Sequence, residues 1–515
     1  MIASGCSSTF CHRKIVPSPV GIGLSVVITY PERRRRFELT MSASCSRRAR
    51  KHTVAVVSDL FPLDALGPLS PLYPFNAPGQ PVVLYEGSIG GLAADDVTGW
   101  VELSCAPRPG IEWHIEPGAP PQFANQAAVT LALRRPDGDA LLPGVPRGIG
   151  GGWSNGAAVG RADVPLTRIV AHWFNLPRWH GLVRLTEPTL EGGQRWWSGR
   201  WSTEICGWSV TLDARPDHHD VWADLHTTDV FVMTHVMECR RSDGKDFTAA
   251  EAEPLLAALH VGVSFALGRW AAPMLPAGQD ADSKVVWEDW RPGFCDPAQA
   301  TSGGWWYQYD QQVLAEFLQC AVPLLADPGS GAALRFQMMF AMMAVGDRGF
   351  VEQRVMNCAA GLEHLMWQVL VVSGRLTEDQ YRGRSHYQRR RLHAHDLLRM
   401  VLTDARIPTG IDPVLLPVAA QFASEESKRQ TRDLDGADVV TQIRNRLVHP
   451  KAAQEAVYRL DGLVAEVWLL ARHYLVLLIL HSIGYRGPYR DLRRTTGWAG
   501  DVVPVPWASR PDSPA

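Results

Sequence analysis

The residues best suited to chemistry lie close together near the end of the chain, in the segment 444–450, Arg-Asn-Arg-Leu-Val-His-Pro. Arg444 offers a planar cation that can stabilise charge developing on a phosphate. Asn445 offers an amide that can orient a phosphate or an imidazole. His449 titrates closest to neutral pH, which suits a general base or a general acid. Three of the side chains needed to cleave RNA without a metal are therefore present.

The pattern around these residues predicts a helix over Asp435 to His449. Asp435 and Asp438 are acceptors suited to the exposed N–H groups at the start of a helix. Apolar residues recur at helical spacing on one face, at Val440, Ile443 and Leu447. Pro450 disfavours helical geometry at His449, so we expect the helix to end there. On such a helix the three functional side chains can face a common groove.

The motif resembles that of the HEPN family (higher eukaryotes and prokaryotes nucleotide-binding), in which an arginine, a polar residue, three variable residues and a histidine follow one another. Arg444, Asn445 and His449 match this pattern. The long apolar helix near the end and the segment 484–489, Gly-Tyr-Arg-Gly-Pro-Tyr, also resemble HEPN domains of the abortive-infection type. The resemblance covers about residues 305–490.

The resemblance implies a helical bundle that forms a homodimer, in which two copies of the motif build one RNA-cleaving site. Enzymes of this type need neither a metal nor a cofactor, attack with the 2′-hydroxyl and leave a cyclic phosphate. Carried over to this chain, His449 would be the general base or acid, Arg444 would stabilise the phosphorane and Asn445 would orient the phosphate or the histidine. Glu363 is a candidate partner that would fix Arg444. The implied function is that of a bacterial toxin or anti-phage ribonuclease.

A basic cluster lies upstream of the motif. It consists of Arg384, Arg389, Arg390 and Arg391 with the histidines His386, His393 and His395. If the cluster faces the same groove as Arg444, it would hold an RNA backbone, and Arg446 is a further candidate contact. The alternative is that the cluster is a solvated face.

Two alternative functions remain open. A helix-terminal arginine and histidine can bind only a helix carboxyl end or a neighbouring carboxylate, which would leave a catalytically silent module for dimerisation or nucleotide binding. The function could instead be carbohydrate binding by a tryptophan-rich segment whose side chains stack on sugar rings. Alternatively, these tryptophan side chains fill a core. The tryptophans concerned are Trp196, Trp197, Trp201, Trp208 and Trp222.

The chain is predicted to be an α+β multidomain protein. Residues 1–52 are predicted to be a disordered tail, because residues 1–51 contain ten Lys or Arg but only two acidic residues, both Glu. Met41 is a candidate translation start. Residues 53–245 alternate like the strands of a β-sandwich and would sense an unknown trigger. Residues 246–304 begin with a helix, started by a capping box of Thr248 and Glu251 and ending near Trp270, and continue over 271–304 as a Pro/Gly-rich connector. A helical domain over 305–490 and a flexible tail over 491–515 follow.

The remaining composition favours a cytoplasmic protein without metal or membrane segment. The nine cysteines are scattered without the spacing of zinc ligands or a disulfide framework. The net charge of −2 does not by itself indicate a nucleic-acid binder. The apolar segment Leu463 to Ile483 is long enough to span a bilayer, but Glu466, Arg472 and His473 interrupt it. We expect it to be the central helix of the bundle.

Overall fold

A computed structural model of the chain describes residues 66–508 except for ten short segments. These are 93–94, 117–125, 180–182, 190, 226, 299–302, 330, 346–348, 450–456 and 495–498. The described residues all belong to one compact unit. The predictions for the tail 1–52 and for a start at Met41 lie outside the described residues.

The first six strands close into a barrel. They are β1 Val82–Gly90, β2 Val97–Ser104, β3 Gly110–Ile115, β4 Val129–Leu133, β5 Ala140–Pro146 and β6 Gly151–Ser154. The strand order is β1-β2-β3-β6-β5-β4, all neighbours are antiparallel, and pairing of β1 with β4 closes the ring. Apolar and polar residues alternate along β2 and β3, which places Val101 and Trp113 inside the barrel and the intervening residues outside.

The next eight strands form one open antiparallel sheet. They are β7 Ala158–Gly160, β8 Arg168–Phe174, β9 Val183–Pro188, β10 Gln194–Ile205, β11 Trp208–Ala214, β12 Met233–Arg241, β13 Pro273–Gln279 and β14 Val285–Asp289. Their order is β7-β14-β13-β8-β12-β11-β10-β9. The predicted β-sandwich is therefore wrong, because the first strands close on themselves and the later strands form a separate sheet. Segment 271–304, which we expected to be a connector, contributes β13 and β14 to this sheet.

Helices dominate the second half of the chain, so the predicted order of a β part followed by a helical part is confirmed. The helices are α1 His218–Leu225, α2 Ala249–Leu267, α3 Gln311–Ala326, α4 Gly331–Met343, α5 Val351–Trp367, α6 Glu378–Tyr381, α7 Ala394–Asp404, α8 Pro417–Gln430, α9 Gly436–Val448 and α10 Leu463–Ser482. A π-helical turn, Gln368–Val372, extends α5. Two short strands, β15 Pro488–Arg490 and β16 Val502–Pro504, pair near the end.

Helix α10 is the central helix of the bundle, as the sequence predicted. It packs against α4, α5, α7, α8 and α9. Among the residues that the structure describes, three helices are long and apolar enough to cross a membrane by length and composition, namely Ala249–Leu267, Val351–Val372 and Leu463–Ser482. In the structure, 61%, 39% and 78% of the most apolar 18 residues of these helices, in that order, are buried. The absence of a membrane segment and a cytoplasmic location stay predictions.

One hydrophobic core joins the open sheet to the helices. Met237 of β12, Leu259 of α2 and Phe317 of α3 belong to the same buried cluster. Helix α2 begins with the predicted capping box, in which the Thr248 N–H donates to Glu251 Oε2 at 2.7 Å. The segment after 491, expected to be a flexible tail, carries β16 and the buried Trp507 of the same cluster. The sheet and the helical bundle are therefore packed as one body.

Candidate functional site

A groove of about 870 Å³ opens between α4, α5, α7 and α9 and the loop that follows α6. Its apolar floor is formed by residues such as Leu362 and Leu398, which belong to the core of the bundle. Its polar side chains are Glu363, His364, Arg382, Arg384, His393, Thr441, Arg444 and Asn445. Four aromatic rings, of Phe336, Phe340, Trp367 and Tyr381, complete the walls. The groove therefore combines cations, imidazoles and ring faces.

Helix α9 carries Arg444 and Asn445 into this groove. The helix begins as predicted, with Asp435 as its N-cap and Asp438 completing the capping box, and it ends at Val448 with His449 as its C-cap. Ile443 is fully buried and fixes the rotation of the helix. The Arg444 guanidinium donates to Asn445 Oδ1 at 3.1 Å. The arginine and the amide thus lie side by side on the groove wall.

The start of α9 is held by an ion-pair network with α7. Arg399 of α7 donates to Asp435 at 2.8 Å and to Asp438 at 2.6 Å, and Arg432 donates to Asp438 at 2.8 Å. Burial raises the pKa of Asp435, but the Arg399 hydrogen bonds and the Asp438 amide outweigh it and lower that pKa to about 2. The network fixes two helices that line the groove.

Glu363 of α5 lies beside Arg444 of α9 in the groove, as expected for the candidate partner named from the sequence. The Arg444 Nη2 and Glu363 Oε2 atoms are 3.5 Å apart, and the Glu363 side chain is 60% exposed. An ion pair this long and this exposed contributes little to stability. Glu363 therefore positions Arg444 weakly and also places a negative charge in the groove.

His449 and Arg446 do not line the groove. His449 is exposed at the end of α9, one turn beyond Asn445, and its backbone N–H donates to the Asn445 carbonyl at 3.0 Å. Arg446 points toward α8 and pairs with Glu426 at 3.2 Å, while its guanidinium lies 5.0 Å from the Phe422 ring centroid. Of the predicted motif, Arg444 and Asn445 reach the groove.

The predicted basic cluster is divided by the structure. Arg384 and His393 line the groove, whereas Arg389, Arg390 and Arg391 are exposed outside its lining. Arg390 forms an ion pair with the buried Asp396 at 3.1 Å. The expectation that the whole cluster faces Arg444 is therefore wrong, because the chain turns between Tyr387 and Arg390 and redirects these side chains.

The sequence-based interpretation missed His364, which follows Glu363 on α5. Its Nδ1 lies 3.4 Å from the Gln337 amide nitrogen, and its ring contacts Phe336 at 4.8 Å between centroids. Burial lowers the pKa of His364 below its usual 6.5. The Gln337 amide N–H can only donate, so in the neutral ring Nδ1 holds the lone pair, and a substrate hydroxyl must displace this long contact before His364 can accept its proton. No local motif marks this residue, because its partners on α4, Phe336 and Gln337, are distant in sequence.

Arg382 and Arg384 line the same groove from the loop that follows α6. Arg382 pairs with Glu378 at 2.7 Å and lies 5.9 Å from the Trp367 ring centroid, and Arg384 lies 3.7 Å from Asp379. These pairs are at least half exposed. Exposed pairs contribute little, so a phosphate can compete for both arginines.

Two of the five rings of the tryptophan-rich segment belong to the core. Trp201 and Trp208 are buried in the open sheet, and Trp208 packs edge-on against Phe247 at 4.6 Å. Trp196 is half exposed with Arg184 beside its ring. The core interpretation is confirmed for the two buried rings.

Comparison with known proteins assigns two segments of the chain. Residues 161–301 match the YopA central domain, and residues 337–504 match the YopA C-terminal domain. The "SPbeta prophage-derived uncharacterized protein YopA" of Bacillus subtilis (strain 168) is 24% identical over 315 residues, which cover 61% of this chain and 67% of that protein. No solved structure matches the chain.

These matches correct the family expected from the motif. The models that match residues 337–504 and 161–301 are those of YopA, and no HEPN family matches, so the assignment to HEPN is wrong. A motif of three residues is too short to identify a family, since Arg444, Asn445 and His449 can recur at that spacing by chance. The homodimer and the composite site came from that resemblance and stay predictions. Over its central and C-terminal parts, the chain is similar to YopA.

Proposed function

We propose that this chain is a metal-independent endoribonuclease whose substrate binds in the helical groove. The observation that supports the proposal is that Arg444 and Asn445 share one groove with His364 and with two further arginines. Cations and imidazoles directed at one space are the groups that phosphodiester cleavage through a 2′-hydroxyl requires. YopA matches neither support nor oppose this activity.

The groove suits a single-stranded RNA segment. Arg382, Arg384 and Arg444 would contact phosphates from two sides. Trp367 and Tyr381, which meet edge to face at 5.2 Å, offer ring surfaces on which a base can stack. A single strand with splayed bases can use both kinds of contact, whereas a duplex hides its ring faces.

The proposed reaction is an internal transesterification. The base removes the proton of the 2′-hydroxyl, the 2′-oxygen forms a bond to phosphorus, and the bond from phosphorus to the 5′-oxygen breaks. The acid returns a proton to the leaving 5′-oxygen, which leaves a cyclic phosphate and a free 5′-hydroxyl. Arg444 would stabilise the phosphorane, and Asn445 would orient it. His364 is the candidate base. His449, which lies one turn along α9 and outside the groove lining, is the candidate acid for an RNA strand that runs past the end of α9.

The test is cleavage of a fluorescent single-stranded RNA in EDTA by the full chain and its variants. Arg444→Ala, His364→Ala and His449→Ala should each lower the cleavage rate by about 10²–10⁴-fold, the usual contribution of such groups. Arg459→Ala is the matched control, because Arg459 pairs with Glu425 at the surface outside the groove lining. Its rate should equal that of the unchanged chain.

The outcomes separate the alternatives. A cyclic phosphate on the products supports the proposed chemistry. RNA binding without cleavage would contradict the enzyme and favour a silent nucleotide-binding module. Cleavage that Arg444→Ala leaves unchanged would place the activity outside this groove.

For the cellular role, we propose a toxin or anti-phage effector, which is supported only by similarity to a protein named as prophage-derived. Induced expression in bacteria should then arrest growth and degrade RNA. Arg444→Ala at equal protein level should do neither. Normal growth with the active enzyme present would oppose this role.

A further inference from the structure

Three potential metal ligands lie together on the outer face of the barrel, away from the groove. The register of β2 and β3 places Glu102 directly opposite Glu112 and Trp100 directly opposite His114. All four alternate with the inward residues Val101 and Trp113, so they share the outer face. The pairing of β2 with β3 thus places two carboxylates and an imidazole next to one another on the outer face of the barrel.

The ligand atoms converge on one point. His114 Nε2 is 3.3 Å from Glu102 Oε1 and 3.9 Å from Glu112 Oε2, and one donor atom of each residue lies within 4.8 Å of the others. Ligands about 2 Å from a tetrahedral zinc ion are roughly 3.3 Å apart. Glu102 and His114 already have this separation. The Glu112 side chain is 44% exposed and is free to close the remaining distance.

Two further observations favour a cation at this cluster. Like charges directly opposite each other across a ladder are destabilising, and within the described ranges neither carboxylate has an arginine or lysine as an ion-pair partner. His114 Nε2 is shielded from solvent and makes no hydrogen bond, although Glu102 is near. The nearby oxygen therefore lies off the axis along which the ring would donate. That offset is expected when all three donors face a common ion.

We propose that Glu102, Glu112 and His114 bind a divalent transition metal ion of the Zn²⁺ class on the barrel. One nitrogen and two carboxylate oxygens form a mixed set that suits borderline metals such as zinc. The fourth position is left to solvent. This proposal is independent of the proposed ribonuclease, because it concerns a different part of the chain.

Neighbouring groups hold the ligands in place. The Trp100 indole N–H donates to Glu102 Oε2 at 3.1 Å, which leaves Oε1 directed at His114. The Trp100 and His114 rings stack with 4.8 Å between centroids and 17° between planes. Such outer contacts orient ligands and typically change metal affinity by about 10–100-fold.

The test is titration of the metal-free full chain with Zn²⁺ in a calorimeter and with Co²⁺ in a spectrophotometer. We expect one Zn²⁺ site and, with Co²⁺, the visible absorption of a tetrahedral complex. His114→Ala and Glu112→Gln should each weaken this site by at least about 100-fold and abolish the absorption, and Trp100→Phe should weaken it about 10–100-fold. His219→Ala, at an exposed histidine of α1, should bind like the unchanged chain.

Thermal melting provides a second measurement. Because a ligand that binds only the folded state stabilises it, Zn²⁺ should raise the melting temperature of the unchanged chain and of His219→Ala. The two ligand variants should show no rise. Equal Zn²⁺ affinity in the unchanged chain, His114→Ala and Glu112→Gln would overturn the proposal. So would the absence of any binding by the folded, unchanged chain, which would leave His114 as a simple bridge between two carboxylates.

Discussion

At the scale of single residues, the groove brings together side chains that are distant in the sequence. Arg444 and Asn445 were found because they are adjacent on one helix with a histidine at motif spacing. His364 lies on another helix, and only the packing of α5 beside α9 brings it to the same space. His449, the histidine that the sequence motif predicted for the site, lies at an exposed helix end outside the groove lining.

The protonation of His364 sets an expected pH dependence. Burial lowers its pKa from 6.5, so a base at this position is neutral at pH 7 and becomes protonated only as the pH falls through a value below 6.5. The RNA cleavage rate should be level near pH 7 and decline on the acid side with a midpoint below 6.5. Rates measured from pH 4.5 to 8 check this. A midpoint above 6.5 would show that another group is the base.

The charge of Glu363 gives a second prediction. Its carboxylate competes with an RNA phosphate for Arg444, and the pair is long and exposed. Glu363→Gln keeps the side-chain size but removes the charge, so RNA affinity should rise about two- to fivefold at low salt, in line with an exposed pair. Fluorescence anisotropy at two salt concentrations measures it. Weaker binding would instead mean that Glu363 is needed to position Arg444.

At the scale of elements, the ends of α9 are set by local signals and the contacts of the helix are not. Asp435, Asp438 and Pro450 marked its ends correctly, because capping and the restriction before proline act within a few residues. The link from Arg399 to Asp435 joins positions 36 apart and could not be derived from spacing.

The Arg399–Asp435 ion pair predicts that the free energy of unfolding decreases in acid. The ionised Asp435, whose pKa falls from 3.8 to about 2 in the folded state, stabilises the fold above pH 4 by roughly 2 kcal/mol, and this contribution disappears as the pH falls toward 2. Asp435→Asn retains a capping oxygen but not the charge. Its free energy of unfolding should be lower by about that amount at pH 6 and should approach that of the unchanged chain in acid. A gap that stays constant with pH would disprove the assignment.

Gly361 shows how closely α5 and α10 approach. A Cβ at this position would lie 2.8 Å from Leu475 Cδ2 and 3.0 Å from Phe340 Cβ. Alanine favours a helix by about 1 kcal/mol over glycine, but overpacking a filled core costs about 1–3 kcal/mol. Gly361→Ala should therefore lower the free energy of unfolding in urea. Gly410→Ala, where nothing lies within 4 Å, should change it by less than about 0.5 kcal/mol.

The barrel and its ligand cluster show where sequence reasoning fails. The alternation of apolar and polar residues predicted a β-rich region. Closure of the barrel, however, requires β1 to pair with β4 and β3 to pair with β6, and no local sequence pattern encodes these pairings. Glu102, Glu112 and His114 were not recognised for the same reason, since only the register of β2 with β3 makes them neighbours. Segment 271–304 looked like a connector because it is rich in proline and glycine, which are usually rare in sheets and which occur even within β13.

At the scale of the whole molecule, the sheet and the bundle should unfold together. Trp305 packs against Phe265 of α2 and Phe317 of α3, and Gly262 lies against Leu318. A fragment that begins at residue 305 would lose the α2 side of this core and expose apolar area to water.

We therefore expect the chain from Asp64 to Ala515 to show one urea transition that tryptophan fluorescence and circular dichroism report at the same midpoint. The fragment 305–515 should bind a hydrophobic dye and unfold without a sharp transition. A fragment with its own cooperative transition and no dye binding would show that the bundle is an independent domain.

The shared core also has an evolutionary consequence. The two segments similar to YopA, 161–301 and 337–504, are recognised as separate families, yet Leu259 of the first and Met338 of the second belong to one buried cluster. A recombination event that replaced only one segment would join two surfaces that had never been selected to fit. A steric mismatch between the two surfaces would cause misfolding, and selection would remove such chains. The two segments should therefore be inherited together, and substitutions on one side of their shared core should be compensated by substitutions on the other.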